Sequence, residues 1–237
     1  LIIFLVIILA SCSAQAEPTQ AVPPPAEIED TQAPAPTSPP ATSEPTVTTP
    51  TSASSSLSGA VTFNIIPEES KVSYEVGETF FNQNNRFNLA IGVTQVITGS
   101  VFADLDNPPA SSIGPIEVDI SQFTSDSNRR DNAIRGRWLE STQFPIATFV
   151  STQIVGLPDA YVEGQDYLLK VTGDLTVRDV TRSVTFDVTA RLEGDTLSGR
   201  AETTILLSDY NIGPIDIAGM LKTEDVAHLI LEFTARP

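Results

Sequence analysis

One cysteine, one histidine and one tryptophan in 237 residues remove several chemistries at the outset. A lone cysteine makes no internal disulfide, so the redox compartment cannot be read from pairing. A metal centre draws on several His, Cys or clustered acid ligands, and the only imidazole is His228. That residue falls on the polar side of an alternating run, which makes it a solvent-facing side chain. A Ser-His-Asp arrangement would have to use the same histidine, and no Gly-X-Ser-X-Gly elbow surrounds any serine. The 13 glycines are scattered, without a phosphate loop or dinucleotide fingerprint. Positive charge is scarce too: 13 Lys and Arg stand against 30 Asp and Glu. Such acidity repels nucleic-acid phosphate and anionic lipid headgroups alike, so no nucleic-acid role is expected. Acids are plentiful enough for a carboxylate pair, but most alternate with apolar residues, as solvated strand positions do. No catalytic residue, metal or cofactor is expected.

The amino-terminal residues are informative in a different way. Leu1 to Ala10 is an unbroken apolar run, too short to span a bilayer but suited to a signal-peptide core. Leu9-Ala10-Ser11-Cys12 follows directly and resembles the bacterial lipobox, in which the cysteine is acylated. Residues 1–12 therefore read as a lipoprotein signal peptide with a truncated start, and Cys12 as the lipid anchor. The expected location is the cell envelope, with the domain in the periplasm or on the extracytoplasmic face. Residues 13–59 carry no Lys or Arg and are dominated by Pro, Thr, Ser and Ala. They bury too little apolar surface to offset ordering entropy and read as a disordered tether. Twenty-five of the thirty acids and all thirteen bases lie beyond it, a net charge of −12 on residues 60–237.

From Ala60 onward the hydrophobic period becomes two. Val61, Phe63 and Ile65 alternate with polar residues, as do Val72, Tyr74 and Val76. The same holds for Tyr167, Leu169, Val171, Leu175 and Val177, for Val184, Phe186, Val188, Ala190 and Leu192, and for Leu229, Leu231 and Phe233. Each run predicts a strand with one apolar and one wet face. Pro67–Ser70, Asp106–Pro109, Gly156–Asp159 and Glu193–Asp195 supply turns. Long alternating strands in a chain of this size favour a closed antiparallel barrel over a sandwich. One segment departs from the pattern: Asn128 to Leu139 predicts a short helix, with caps available at Asp126, Ser127 or Asn128. It would pack Ile134 and Trp138 on the barrel, and Gly136 weakens it. Arg129, Arg130, Arg135 and Arg137 concentrate positive charge there. They serve either as a headgroup contact at a pocket mouth or as a solvated face paired with nearby acids.

This segment, Ser125 to Leu139 followed by Phe144-Pro-Ile-Ala-Thr-Phe149, resembles the central signature of the YceI-like family of bacterial periplasmic lipid- or polyisoprenoid-binding proteins. Gly173 to Val184, Ser208 to Gly213 and the closing Val226 to Phe233 run are also similar to stretches of that family. Asp179 stands where glycine is usual, Ser183 where proline is usual, and Phe80 to Val93 departs from the usual glycine-containing pattern. The resemblance spans Ala60 to Pro237 and implies a lipocalin-like all-β barrel whose elongated interior holds an isoprenoid chain. It implies no catalytic residues, and ligand contacts that are apolar and diffuse.

The expected function is thus an envelope-anchored binding protein for a polyisoprenoid, quinone or similar lipid, acting as monomer or dimer. Candidate lining residues are Phe63, Val72, Tyr74, Trp138, Leu169, Val171, Phe186 and Val188. Two rivals are a filled barrel acting through its surface, in adhesion or stress response, and, less favoured, a hydrolase built on paired acids. Periodicity alone does not distinguish a filled barrel from one with room inside.

Overall fold

The computed structural model describes residues 57–237. Cys12 and nearly all of the tether lie outside them. Packing begins no later than Leu57, which lies against the lower core, and Gly59 accepts a hydrogen bond from the Leu105 amide. The described residues form one compact unit, and every strand pairing falls inside it.

Thirteen strands make one antiparallel sheet. In chain order they are β1 (Ala60–Ile65), β2 (Lys71–Phe80), β3 (Arg86–Thr94), β4 (Ile97–Thr98), β5 (Ser100–Asp104), β6 (Ser112–Ile113) and β7 (Ile116–Asp119). Then come the helix α1 (Asn128–Ala133), a π-helical turn at Ile134–Trp138, and β8 (Ile146–Val155). The rest are β9 (Asp166–Val177), β10 (Val180–Glu193), β11 (Thr196–Leu206), β12 (Asp216–Ile217) and β13 (Leu221–Arg236). Strands β7 to β11 follow one another as neighbours, and β13 continues the sheet beside β11. β2 lies on the other side of β13 and pairs with β3. β3 runs on through Gln95 and Val96 into β4, which pairs with β7 at the far end. A two-way bridge between Val93 and Thr124 lies beside this link. One stretch of chain thereby joins both ends of the sheet and curls it into the expected barrel.

Alternation positions the core. On β10 the inward series Val184, Phe186, Val188, Ala190 and Leu192 is half-buried or buried, while Thr185, Asp187, Thr189 and Arg191 are exposed. Expected turns fall at the Pro67–Glu69 and Pro108–Ala110 3₁₀ turns and between β10 and β11, where Gly194 adopts φ 60. The Arg178–Asp179 turn closes the β9–β10 hairpin, with Arg178 itself at φ 58. His228 is exposed, and its Nδ1 lies 3.0 Å from Thr204 Oγ1.

Cross-strand pairing also explains a close approach. Tyr74 sits opposite Gly92, and a Cβ at Gly92 would lie 2.2 Å from Tyr74 Cε1. Only glycine lets the ring lie flat across β3. Gly92→Ala is expected to destabilise the domain by about 1–3 kcal/mol through forced displacement of that ring. Urea unfolding would measure it, and an unchanged midpoint would show that the ring moves freely.

The helix forms where the sequence predicts it, though it is shorter. Ser127 is the N-cap, its Oγ accepting from the Arg130 amide at 3.3 Å. The regular α-helical bonds end at Ala133, and a π turn containing Gly136 carries the chain to Trp138.

Candidate functional site

The barrel encloses a cavity of about 520 Å³. This volume lies within the range of pockets that hold small organic ligands, roughly 300–1,000 Å³. Its walls come from the inward series of the long strands: Val72, Tyr74 and Val76 on β2, Val171, Leu175 and Val177 on β9, and Phe186 and Val188 on β10. Two edge-to-face aromatic pairs stiffen the wall: Tyr74 with Phe123 and Phe149 with Phe186, each with centroids 5.1 Å apart. Below lies a second core of Phe63, Ile65, Ile97, Ile116, Leu192 and Ala235, where β1 joins the last residues of β13. Ile65 and Ile116 belong both to that core and to the cavity lining, so this cluster forms the floor.

Polar lining gathers at the other end. Asn82 and Gln83, in the turn after β2, and Ser127, Arg129 and Arg130, at the start of α1, border the cavity there. The inward face of β2 reads Val72, Tyr74, Val76, Glu78, Phe80, placing an acid in an apolar series. Glu78 is 5% exposed. Arg130 answers it with two hydrogen bonds, Nε to Oε1 at 3.0 Å and NH2 to Oε2 at 2.9 Å. Asn88 Nδ2 donates to Glu78 Oε2 at 3.3 Å. Arg130 also reaches Ser125 Oγ and Asp126. The guanidinium is held charged by these partners, Glu78 foremost. Asp131 is buried as well, accepting from the amide and hydroxyl of Ser125. Both buried acids are thus committed to structural donors.

The four arginines of this segment have different surroundings, and three of them are engaged by the protein itself. Arg130 is locked to Glu78, Arg135 donates to the Ser121 carbonyl at 3.3 Å, and Arg137 stacks over the Trp138 ring. Arg129 is exposed, borders the cavity and has no ion pair among the described residues. A fifth arginine, in the β9–β10 turn, fastens the chain that follows the π-helical turn. Arg178 NH1 donates to the carbonyls of Trp138 and Asn211, and its NH2 pairs with Glu140 at 2.5 Å.

Of the residues expected to line a ligand site, Val72, Tyr74, Trp138, Val171, Phe186 and Val188 come together on the cavity wall. Phe63 does not: it is fully buried in the floor, because β1 joins the sheet only at the end of β13. Leu169 pairs with Val188 on β10, but it is half-buried and lies outside the lining. The sequence reading missed Glu78, Phe80, Phe123 and Phe149. An acid on the apolar phase of β2 was the one readable signal among these.

Burial raises the Tyr74, Tyr161 and Tyr210 hydroxyls, the first and last of them furthest. Desolvation pushes the Tyr74 and Tyr210 hydroxyls up to about 12, and the Tyr210 oxygen, in the core, has no hydrogen-bond partner. A raised folded-state value for an acid gives stability that is complete below the unfolded value near 10 and is lost as pH rises through 12. The domain is therefore expected to lose stability between about pH 10 and pH 12. Ultraviolet titration should show these two phenols ionising late, and ionisation of all four tyrosines near pH 10 in the folded state would refute it.

The fold and cavity define a class: small antiparallel β-barrels with an apolar interior open to a polar rim. Comparison with known sequences and structures narrows it. The YceI-like family model matches residues 63–235, and the chain belongs to that family. Curated proteins named YceI from Salmonella newport and Salmonella arizonae are 28% identical over 161 residues, covering 64% of this chain and 80% of theirs. Burkholderia cenocepacia BcnA shares the fold at 23% identity and TM-score 0.55, covering 72% of this chain and 98% of its own. A polyisoprenoid binding domain from Saccharophagus degradans, implicated in plant cell wall breakdown, shares it at 10% identity and TM-score 0.54, covering 73% and 97%.

Proposed function

We propose that this domain is a binding protein that holds a long apolar chain, such as a polyisoprenoid or a quinone tail, inside the barrel. The observation that carries this reading is the 520 Å³ cavity with apolar walls, an apolar floor and polar side chains at one end. A chain threaded inward gains about 25 cal/mol per Å² of apolar surface removed from water, before ordering costs. Its polar head would stay among Asn82, Gln83, Ser127 and Arg129. The family membership and the structural likeness to a polyisoprenoid binding domain support a lipid cargo. In this reading Cys12 is acylated and the Pro-rich tract tethers the barrel to an envelope membrane, as the lipobox resemblance implies.

The test is mass spectrometry of an organic extract from the domain, exported to an envelope compartment and purified without detergent. A stoichiometric isoprenoid or quinone is the expected result and would name the cargo. A clean extract from folded protein, still clean after exposure to candidate lipids, would instead favour a module that acts through its surface. Labelling with a radioactive fatty acid would test the anchor separately: label lost on Cys12→Ser is expected, and label that persists would refute it.

A further inference from the structure

Strand β3 is built inside out. Its inward residues are Asn88, Ala90, Gly92 and Thr94, all small or polar, while Phe87, Leu89, Ile91 and Val93 face solvent. Phe87 is 60% exposed. Sheet surfaces of soluble domains normally reverse this order, and a contiguous exposed apolar stripe marks a contact surface. At the hairpin tip the stripe meets two more exposed apolar side chains. Phe81 is 45% and Met220 44% exposed, and the Phe81 amide donates to the Met220 carbonyl at 2.9 Å.

We propose that this outer face of the β2–β3 hairpin docks on the surface of a lipid bilayer, with the cavity mouth beside it. Two observations select a bilayer over other occupants. The first is continuity with the cavity. Phe80 and Phe81 are consecutive, yet Phe80 lines the cavity while Phe81 points to solvent, and Met220 belongs to both the lining and the exposed patch. A lipid rising from a membrane at Phe81 meets cavity wall without crossing water. The second is charge. Arg86, Lys222 and Arg129 are exposed around the patch beside Asp126, Asp216 and Glu224, with Glu75 half-buried opposite Ile91. Over the rest of the domain acids outnumber bases by more than two to one, so this is the face that an interface repels least.

The inference rests on the proposed lipid cargo, and the two are separable by experiment. The unit Thr51–Pro237 is floated with vesicles of phosphatidylcholine, and its extractable lipid is measured in parallel. Wild-type protein is expected to float. Phe81→Ser with Phe87→Ser should reduce partitioning by about tenfold or more, while Val155→Ser, exposed elsewhere, leaves it unchanged. Protein that carries lipid but does not float would overturn the docking face and spare the carrier. Protein that floats through Phe81 and Phe87 but never holds lipid would support the docking face and remove the carrier. Dimerisation that disappears on Phe87→Ser, without vesicle binding, would assign the stripe to self-association and overturn the inference.

Discussion

Replacing Arg130 by methionine is expected to cost about 3–5 kcal/mol of stability, because it strands the Glu78 carboxylate in an apolar wall. The Glu78 and Arg130 side chains are 6% and 14% exposed, and the pair is joined by two hydrogen bonds. Water reaches little of either group once the partner is gone. The cost comes from the abandoned charge more than from the lost attraction, so the companion change reverses most of it. Glu78→Leu combined with Arg130→Met should recover to within about 1–2 kcal/mol of the wild type, as buried ion pairs do when both partners become apolar. Guanidinium unfolding of the four members of this cycle measures the coupling directly. A single Arg130→Met that costs under about 1 kcal/mol would mean that Glu78 finds water at the cavity mouth. The pair also fixes α1 over the barrel end, so the single variant should expose its cap to protease earlier than the double variant does.

The second large effect is on cargo. Val188→Asp points a carboxylate into the cavity, whereas Thr189→Asp on the same strand points one into solvent. The inward change is expected to reduce retained lipid by at least about tenfold, since an unpaired buried charge costs several kcal/mol. The outward change should leave retention as it was. Both proteins remain comparable only if folded, which circular dichroism establishes, and Val188→Thr provides a milder inward probe that keeps volume while adding a hydroxyl. Equal losses from the inward and outward aspartates would show that the lipid does not lie in the barrel.

How much of this was legible in the sequence varies from strand to strand, for physical reasons. β9, β10 and β13 declare themselves because large apolar residues occupy one phase and polar ones the other. β11 does not: its inward residues Leu197, Gly199, Ala201, Thr203 and Ile205 are mostly small. Gly199 leaves space that the Phe233 ring of the neighbouring strand fills, so the hydrophobic signal sits on the partner. β3 misleads more thoroughly, since its large apolar residues face outward. The segment already stood out as a departure from the family pattern, but only the fold shows which way those side chains point. Phe63 illustrates a third limit. Alternation places it correctly on the inward face, yet cannot say whether that stretch of interior is cavity or floor. That depends on where β1 meets β13, a contact between residues about 170 positions apart.

β13 has a further consequence, for the order in which the fold can arise. Its backbone pairs with β11, β2, β1 and β12, and it accommodates the change of partner with a bulge between Thr223 and Ala227. Until this strand is in place, β2 has only β3 beside it and β1 only β5. The β2–β3 and β9–β10 hairpins are local in sequence, but neither buries an interior alone. The segments before Leu221 make one sheet from β4 and β7 to β11, with the β2–β3 and β1–β5 ribbons unpaired to its β11 edge. The container is complete only when the last strand joins them.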